Sequence, residues 1–513
     1  MSLRDRILLL VLGFSLSGAV AYLVDVPGYM DAEYYFATGR NLADGRGLEE
    51  PFLWNYLDEP RGIPHPSHAY WMPLPTFAAA MGVALFGPTF SAGRSLFLVL
   101  ASTLPLLTAE HAFRLTADRR LSWMSGGLAL APGYYSAYLV TTDSFAMYAV
   151  LGGLLLLLLT SAGQGTWRWI GAGLTVGLCH LARADGVLWV PLAAGAAWTL
   201  GPGRPRRLLL LAAGYAAVMV PWFLRNASVF GSLLPPGQSR TLWMTGYNDL
   251  FFYPAAALTP ARWLASGWGE IVGSRLAALA SNLLSLWTIN GLIFLLPLMV
   301  LGAWRYRDRR AVRLAILYVL MLLIVMSLVF PFAGARGGYF HSSIAVMPVL
   351  FALVPPGLLA FLEWGRRMRG WDVRMGHIVL GAAAWSLALG LTVYKLWERT
   401  LGTDLGSPRW AQSARTYLRL AERIGGGTVA INNPPGFHMA SDGPAVVIPS
   451  GGVEALTTIA GKFEVDWVIL DQNRPPELEG LFAEPRSTGP LIFAFVWEDP
   501  EAGRFVVYRV AQP

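Results

Sequence analysis

Two carboxylates stand where apolar runs of the sequence meet short polar stretches. Asp31 follows the first apolar run, in Val26-Pro-Gly-Tyr-Met-Asp, and Asp143 precedes a later one, in Val140-Thr-Thr-Asp-Ser. Carboxylates near a membrane are costly to desolvate, so they are candidates for function. One can accept a proton from a nucleophile while the other orients substrate or helps to hold a divalent cation, Mg²⁺ or Mn²⁺. Asp143 also has a structural interpretation, as the N-cap of the following helix.

An arginine between glycines is the third candidate. Arg336 stands in Gly334-Ala-Arg-Gly-Gly, where small neighbours let both the backbone and the guanidinium approach a ligand closely. The planar fork of donors on arginine matches the oxygens of a phosphate group. A phosphate at a membrane surface indicates a lipid-linked phosphate. The alternative is that Arg336 extends toward lipid headgroups without a specific ligand.

The remaining polar candidates have weaker patterns. Arg183 and Asp185 interrupt an apolar region and either contact substrate or form a structural ion pair. Glu33 lies two residues from the first carboxylate and either shares its site or is structural. His65 and His68 are candidates for substrate or metal contact. Two histidines without an acidic residue at helical spacing are, however, a weak metal pattern.

Composition indicates what must position these residues. The chain has 513 residues, of which 55% are apolar and 14% are charged. A soluble chain of this length would form several domains with more surface charge. The apolar residues instead concentrate in runs of roughly 20, the length that crosses a bilayer as a helix. We therefore predict a polytopic α-helical membrane protein with eleven spans, at residues 7–24, 90–112, 121–135, 142–160, 168–182, 186–200, 207–224, 282–303, 312–330, 340–362 and 376–396.

Arginine placement predicts the orientation in the cell (inner) membrane. Cytoplasmic loops collect Lys and Arg, and eleven spans put every basic cluster on one side, with the N-terminus cytoplasmic and the C-terminus outside. The stretch Tyr70–Phe86 is assigned to a helix in the outer interface, because counting it as a span would break this parity. A cleavable signal over residues 1–24 is an alternative. The net charge of +7 then reflects topology, without nucleic acid as a partner. The clusters are Arg4/Arg6, Arg114/Arg119/Arg120, Arg204/Arg206/Arg207, Arg305/Arg307/Arg309/Arg310/Arg313 and Arg366/Arg367/Arg369/Arg374.

Three segments are predicted to lie outside the membrane. Within a transmembrane domain at residues 1–398, the outer loops are residues 25–89 and 225–281, and Pro260–Ala280 is expected to rest on the membrane. Residues 399–513 are expected to form a small soluble α/β domain. Its predicted elements are a helix at Trp410–Arg423, a helix at Gly451–Ala460, and strands at Thr428–Ile431, Ala445–Ile448, Trp467–Leu470, Leu491–Val496 and Phe505–Arg509. The only cysteine, Cys179, lies in an apolar span, so no disulfide supports this domain.

Several stretches, in order and spacing, resemble the C-type glycosyltransferases, which use polyprenyl-phosphate sugars. The superfamily includes bacterial oligosaccharyltransferases, protein O-mannosyltransferases and lipid A aminoarabinose transferases. The resemblance covers most of residues 1–365. The similar stretches are Asp31-Ala-Glu-Tyr-Tyr-Phe-Ala-Thr-Gly, His65-Pro with Trp71-Met-Pro-Leu-Pro and Arg94, Ala131-Pro-Gly-Tyr-Tyr with Thr142-Asp, Gly177-Leu-Cys-His-Leu-Ala-Arg-Ala-Asp-Gly, and Arg336-Gly-Gly-Tyr-Phe.

The resemblance implies an inverting transferase acting outside the membrane. Its donor is a polyprenyl-phosphate or pyrophosphate sugar, and its acceptor is a hydroxyl of a glycan, lipid or protein. Asp31 matches the general base, Arg336 matches an arginine that holds the lipid phosphate, and Tyr339 beside it becomes a substrate contact. The oligosaccharyltransferase motif Trp-Trp-Asp-Tyr-Gly is absent, and a paired Asp-x-Asp is reduced to Asp143. These departures argue against asparagine-directed glycosylation and against an obligatory metal.

Two alternatives belong to other functional classes. A transporter often has broken helices, inverted repeats and charges near the bilayer midplane; here the ionisable residues cluster at one mouth and no repeat is detectable. A non-catalytic scaffold would use the membrane helices only to present the soluble domain. Replacing Asp31 distinguishes a transferase from a transporter or a scaffold, because only a transferase needs this carboxylate for sugar transfer.

Overall fold

The computed structural model describes residues 1–160, 165–199, 203–401, 410–500 and 502–511. Residue 200, the end of the sixth predicted span, and residues 402–409, near the start of the predicted soluble domain, lie outside the described residues. Helices of at least eight residues are numbered in chain order, and shorter ones are named by residue. They are α1 Leu3–Leu23, α2 Met30–Ala43, α3 Leu74–Phe86, α4 Ser95–Thr116, α5 Arg119–Ala129, α6 Phe145–Thr160, α7 Thr166–Ala182, α8 Trp189–Thr199, α9 Arg204–Phe230, α10 Gly267–Ser285, α11 Leu296–Arg305, α12 Arg310–Ile324, α13 Met347–Arg369, α14 Val373–Thr400, α15 Trp410–Ile424, α16 Pro434–Ser441 and α17 Gly452–Lys462.

The chain is a multi-pass helical membrane protein. In its described part, six helices are long and apolar enough to cross a bilayer, or seven when the bent pair Gly133–Val140 and Phe145–Thr160 counts as one span. The eleven predicted spans also include shorter helices, such as α5 and α8 with 11 residues each. Because a helix needs roughly 20 residues to cross the hydrocarbon core, the number eleven stays a prediction.

The predicted span at 282–303 is wrong in its boundaries. The helix α10 begins at Gly267 and continues as a π-helical turn to Asn290, and the separate helix α11 follows. Leu292 and Ile293 take positive φ angles of 43° and 69°, which ends the first helix inside the apolar run. The expected amphipathic segment Pro260–Ala280 is thus a short helix, Pro260–Ala265, followed by the first half of α10.

The first outer loop is built around α2 and α3, which pack on each other. Gly39 of α2 makes this possible, because a Cβ there would lie 2.8 Å from the Cβ of Ala79 in α3. The hydroxyls of Thr38 and Thr76 form a hydrogen bond of 2.8 Å between the same helices. The close packing holds α2, which carries Asp31 near its start, in a defined position.

The C-terminal part, which is predicted to be soluble and is called the soluble part below, is an α/β unit with a six-stranded mixed sheet. The eight strands of the described residues are β1 Glu49–Glu50, β2 Phe52–Leu53, β3 His65–Pro66, β4 Thr428–Ile431, β5 Ala445–Val447, β6 Val465–Leu470, β7 Leu491–Asp499 and β8 Gly503–Val510. Each of the five predicted strands is present, and the order in the six-stranded sheet is β2-β5-β4-β6-β8-β7. The first four strands in this order are parallel, and the last two pairings are antiparallel.

One edge of this sheet comes from the first outer loop. The strand β2 pairs in parallel with β5, with Phe52 opposite Ala445 and Leu53 opposite Val446. Phe52 is fully buried in a core that combines aromatic residues of the outer loop with apolar residues of the soluble part. The loop that carries the candidate base is therefore joined to the C-terminal sheet by backbone pairing and by a shared core.

We expect Phe52→Ala to destabilise this junction. Truncating a buried phenylalanine leaves a cavity and costs roughly 3–5 kcal/mol. Thermal unfolding of the purified protein in detergent, followed by tryptophan fluorescence, should show a lower first transition. Ile492→Ala is the control, because Ile492 in β7 is 47% exposed. Equal melting curves for the two variants would contradict the shared core.

Candidate active site

Three ionisable side chains from distant parts of the chain converge on the same side of the helical bundle as the soluble part. Asp31 comes from the first turn of α2, Asp143 from the bend before α6, and His341 from the short helix Tyr339–Ser343. His341 Nε2 lies 3.0 Å from Asp143 Oδ2 and 3.4 Å from Asp31 Oδ2. One ligand atom from each residue lies within 4.8 Å of the others. We call these three residues the acidic triad.

The local backbone explains the position of Asp143. The helical segments on either side meet at 109°, so the residues between them leave the helical ladder. Asp143 Oδ1 accepts hydrogen bonds from the amide of Ser144, at 2.5 Å, and from its hydroxyl, at 3.0 Å. Ser144, and not Asp143, directly precedes α6, so Asp143 is not the N-cap of this helix; it contacts Ser144 and belongs to the triad.

Hydrogen bonds fix the orientation of the His341 ring. Its Nδ1 lies 2.8 Å from the carbonyl oxygen of Gly337 and donates to it, and the ring stacks on Phe145 at 4.3 Å. A neutral imidazole with its proton on Nδ1 has a lone pair on Nε2, the atom that faces the two carboxylates. Nε2 therefore either carries a second proton between the carboxylates or offers its lone pair to a cation.

Exposure distinguishes the two carboxylates. The side chain of Asp31 is 28% exposed, whereas that of Asp143 is 1% exposed. Asp143 Oδ2 also accepts a hydrogen bond of 2.9 Å from the hydroxyl of Tyr29. Asp143 is thus saturated with partners inside the protein, and Asp31 is the carboxylate that an acceptor molecule can reach.

The pKa of Asp31 is raised to about 6. Burial is the largest cause, because it disfavours the charged form, and the neighbouring Asp143 charge adds to it. The positive charges of His341 and Arg183 act in the opposite direction. A carboxylate whose pKa lies near neutrality is a stronger base than an ordinary aspartate and is still ionised at neutral pH.

Arg183 lies behind the triad and connects it to the bundle. Its Nε is 3.1 Å from Asp185 Oδ1, so the predicted ion pair is present. The same nitrogen lies 2.9 Å from the hydroxyl of Ser342, the residue after His341, and Nη1 lies 3.4 Å from the Ser144 hydroxyl. The structure therefore brings Arg183 and Asp185 near the triad, where the arginine contacts the hydroxyls of the residues that follow Asp143 and His341.

Arg336 lies at the open side of the site. It is exposed, and its guanidinium carbon is 5.0 Å from the centre of the Tyr247 ring. Burial raises the pKa of Tyr247, while the charge of Arg336 lowers it and the charge of Asp31 raises it further. Both charges thus act on one hydroxyl. Tyr247, in the predicted second outer loop, is therefore within electrostatic reach of both Arg336 and Asp31.

Glu33 points away from the triad, toward the soluble part. It is 4% exposed, and its Oε2 accepts a hydrogen bond of 2.7 Å from Asn433 Nδ2. Burial raises the pKa of Glu33 to about 7, with the Asn433 hydrogen bond opposing this and the Asp31 charge adding to it. Asn433 caps the start of α16, and its own Oδ1 accepts a hydrogen bond of 3.2 Å from the amide of Gly436. Glu33 therefore connects α2 to the C-terminal sheet rather than lining the triad.

Three other candidates are buried away from the triad. His65 Nε2 lies 2.9 Å from Asp58 Oδ2 within the outer loop. His68 is fully buried, and its Nδ1 lies 3.2 Å from the carbonyl oxygen of Trp71. Tyr339 is fully buried in the core of the helical bundle. The structure does not bring the side chains of His65, His68 and Tyr339 to the exposed side of Asp31.

The sequence interpretation missed His341. It stands five residues after Arg336, directly after the stretch Arg336-Gly-Gly-Tyr-Phe, but we did not single it out. An ionisable residue inside an apolar run, which is costly in a membrane, is the signal that could have identified it. Tyr29 was also missed, because a tyrosine beside a membrane is too common to indicate a role.

Comparisons with known proteins give structural likeness without sequence likeness. No family model matches the chain, and no curated protein matches its sequence. The Archaeoglobus fulgidus oligosaccharyltransferase, in complex with Zn and sulfate, superposes with a TM-score of 0.58 at 14% identity, over 98% of this chain and 73% of that one. ArnT from Cupriavidus metallidurans bound to undecaprenyl phosphate gives a TM-score of 0.58 at 13% identity, over the full length of both chains. The chain has the C-type glycosyltransferase fold.

The apo form of the same ArnT agrees with this assignment, with a TM-score of 0.54 over 97% of this chain and 98% of that one. The C-type fold that the sequence resemblance implied is therefore confirmed. In this arrangement, loops and short segments between the long apolar helices carry the triad, and the C-terminal sheet packs against the segment that follows α2.

Proposed function

We propose that this protein is a membrane glycosyltransferase that moves a sugar from a polyprenyl-phosphate or pyrophosphate donor to an acceptor hydroxyl, outside the membrane and with inversion. The observation that carries the proposal is an accessible, weakly acidic carboxylate, Asp31, held 3.4 Å from His341. Tyr247, which contacts Arg336, also lies within electrostatic reach of Asp31. ArnT, which shares the fold over its whole length, is a protein solved with undecaprenyl phosphate.

In the proposed reaction, Asp31 accepts the proton of the acceptor hydroxyl. The hydroxyl oxygen forms a bond to the anomeric carbon of the donor sugar while the bond from that carbon to the phosphate oxygen breaks. The electron pair of the broken bond leaves with the polyprenyl phosphate. Attack opposite the leaving group inverts the configuration of the anomeric carbon.

Two further residues support this step. Arg336 binds the donor phosphate and stabilises the negative charge that grows on it as the bond breaks, which is where preorganised charge is most effective. Asp143 holds His341 and, through it, the position of Asp31. Because Asp143 is buried and already bonded, it orients the site and does not exchange protons with the acceptor.

The acidic triad fits a divalent cation. Two carboxylates and one imidazole nitrogen are ligands suited to Mn²⁺ or Zn²⁺, and oxygen ligands alone would suit Mg²⁺. The bond from His341 Nδ1 to a backbone carbonyl is the outer contact that metal-binding histidines usually make. Asp31, Asp143 and His341 would hold the ion, which would supply a Lewis acid beside the donor phosphate.

We expect His341→Ala to lower the affinity for Mn²⁺ or Zn²⁺ by more than the roughly 10–100-fold cost of removing an outer-shell partner. Calorimetric titration of each metal into the purified, chelator-treated protein measures this. His377→Ala is the matched control, because His377 lies in α14 and outside the triad. Unchanged metal affinity in His341→Ala would show that the triad holds no cation.

We also expect the rate of transfer to fall as the pH drops below about 6. The pKa of Asp31 is raised to about 6, so the base is ionised above this pH and is protonated below it. A profile of kcat/KM between about pH 5 and 8 should show an acidic limb near this value. Donor binding, measured over the same range, should change less. A flat rate profile through this region would contradict the role of Asp31.

The topology is part of the proposal. Eleven spans in the cell (inner) membrane, with the N-terminus cytoplasmic, put the triad and the soluble part on the outer side. The proposed domains remain residues 1–398 and 399–513, with the pairing of β2 as the connection between them. Labelling of single cysteines introduced at exposed positions before α1 and in β7 would test this orientation.

Reconstitution tests the proposed function directly. The protein in vesicles with a polyprenyl-phosphate sugar and an acceptor glycan or lipid should release free polyprenyl phosphate and elongate the acceptor. Movement of unmodified solute across the vesicle membrane would support the transporter instead. Release of no polyprenyl phosphate, together with intact binding of the donor, would favour the scaffold.

A further inference from the structure

A polar cleft lies between the first outer loop and the C-terminal sheet, apart from the triad. It encloses about 740 Å³. The loop contributes Asn41 near the end of α2, Glu49 in β1 and Arg61. The soluble part contributes Lys462, the last residue of α17, and Glu464 just after it. Asn41 lies ten residues after Asp31 on α2, which is about 15 Å along the helix axis. The cleft is therefore a separate site.

The two side chains of β1 point in opposite directions, one into the protein interior and one into the cleft. Successive side chains of a strand point to opposite faces. Glu50 is buried and lies opposite His65 in the neighbouring strand β3, whereas Glu49 is exposed and lines the cleft. The backbone that carries the Glu49 carboxylate is thus held by its pairing with β3.

The charged groups of the cleft have few partners in the protein. In the described part of the chain, neither Arg61 nor Glu49 nor Glu464 forms an ion pair with another residue. Arg46, a third cation of the lining, pairs with Asp44 at 2.7 Å, and Lys462 Nζ lies 3.3 Å from the Tyr253 hydroxyl. Cations and carboxylates thus face the same space without neutralising one another.

A buried amide provides an independent sign of a ligand. Asn41 is 2% exposed and lines the cleft, and its Oδ1 has no hydrogen-bond partner. Buried polar atoms are nearly always paired, so an orphaned one calls for a missing partner. A hydroxyl or amine of a bound molecule would supply the donor that Oδ1 lacks.

We propose that this cleft binds an acidic saccharide, a sugar unit that carries a carboxylate or phosphate. The arginines match the oxygens of such an anion through paired donors. The two carboxylates and the Asn41 amide suit the hydroxyls of the sugar. A bare phosphate would meet the repulsion of Glu49 and Glu464, a metal ion would meet three cations, and a neutral sugar would leave Arg61 without an anionic partner.

Binding of trigalacturonate to the purified full-length protein in detergent tests the inference. Calorimetry should show saturable binding, with affinity at least about tenfold weaker for the neutral maltotriose and for inorganic phosphate. Arg61→Gln should weaken trigalacturonate binding by about tenfold or more, the cost of one charge-assisted hydrogen bond. Lys462→Gln, also at an exposed position, should act in the same direction.

Arg486→Gln is the control, because Arg486 is exposed on the soluble part and does not line the cleft. It should bind trigalacturonate as the unmodified protein does. Absence of trigalacturonate binding at millimolar concentration overturns the inference. So does equal affinity for maltotriose or phosphate, or equal affinity in Arg61→Gln, Lys462→Gln and the control. Trigalacturonate binding is measured without sugar transfer, so its result does not depend on whether the proposed function is correct.

Discussion

Asp31→Asn is expected to lower the rate of sugar transfer by roughly 10²–10⁴-fold, the usual contribution of a general base. Asparagine keeps the shape and the hydrogen-bonding reach of the carboxylate but cannot accept the proton of the acceptor hydroxyl. No neighbour replaces it, because the other carboxylate of the triad is 1% exposed and already bonded. The rate constant with saturating donor and acceptor is the quantity to measure.

Donor binding separates chemistry from folding in this experiment. The affinity of Asp31→Asn for polyprenyl phosphate should stay within a few-fold of the unmodified protein, because Arg336 provides the phosphate contact. Asp44→Asn, which removes an exposed carboxylate just after the same helix, is the matched control and should transfer sugar normally. If Asp31→Asn keeps a rate close to that of this control, Asp31 is not the base.

Arg336→Gln should lower kcat by roughly 10²–10³-fold, as removal of a donor that stabilises transition-state charge does. The phosphate gains negative charge as its bond to the sugar breaks, so the loss should exceed any weakening of donor binding. Arg336→Lys should recover part of the rate, because it restores the charge without the paired donors. Single-turnover measurements with labelled donor distinguish this chemical step from product release.

The change in kcat and the change in KM that Arg336→Gln causes, compared with each other, decide the role of Arg336. A higher donor KM with an unchanged kcat would mean that the arginine holds the phosphate equally in the ground and transition states. That result would contradict its proposed part in the chemical step. Arg486→Gln, a change of the same kind on the soluble part, should alter neither constant.

Much of the secondary structure could be predicted from the sequence because each feature is local. The apolar runs of α1, α12 and α14 are long and uninterrupted, so their place in a membrane follows from length and composition. The five strands of the C-terminal part follow from β-branched and aromatic runs between turn residues. The start of α2 at Met30 places Asp31 in a first helical turn, where the helix dipole favours an acid.

The misplaced span shows where local patterns fail. Hydropathy marks 282–303 as one apolar run, yet positive φ angles at Leu292 and Ile293 divide it. The apolar side chains of this run do not by themselves indicate the break, because the packing around Leu292 and Ile293 determines where it falls. The two-residue strand β2 is similarly unpredictable, since its only support is the partner strand almost 400 residues later.

The sequence by itself determined that this is a helical membrane protein with a C-terminal α/β part, and it supplied Asp31, Asp143 and Arg336 as candidates. These conclusions depend on composition and local spacing, which a linear chain displays. Only the tertiary structure decided that His341 joins the two carboxylates, that Asp31 is the accessible one, and that Glu33 binds Asn433 instead. The physical reason is that desolvation and charge coupling depend on distances between residues far apart in the chain, and folding alone sets those distances.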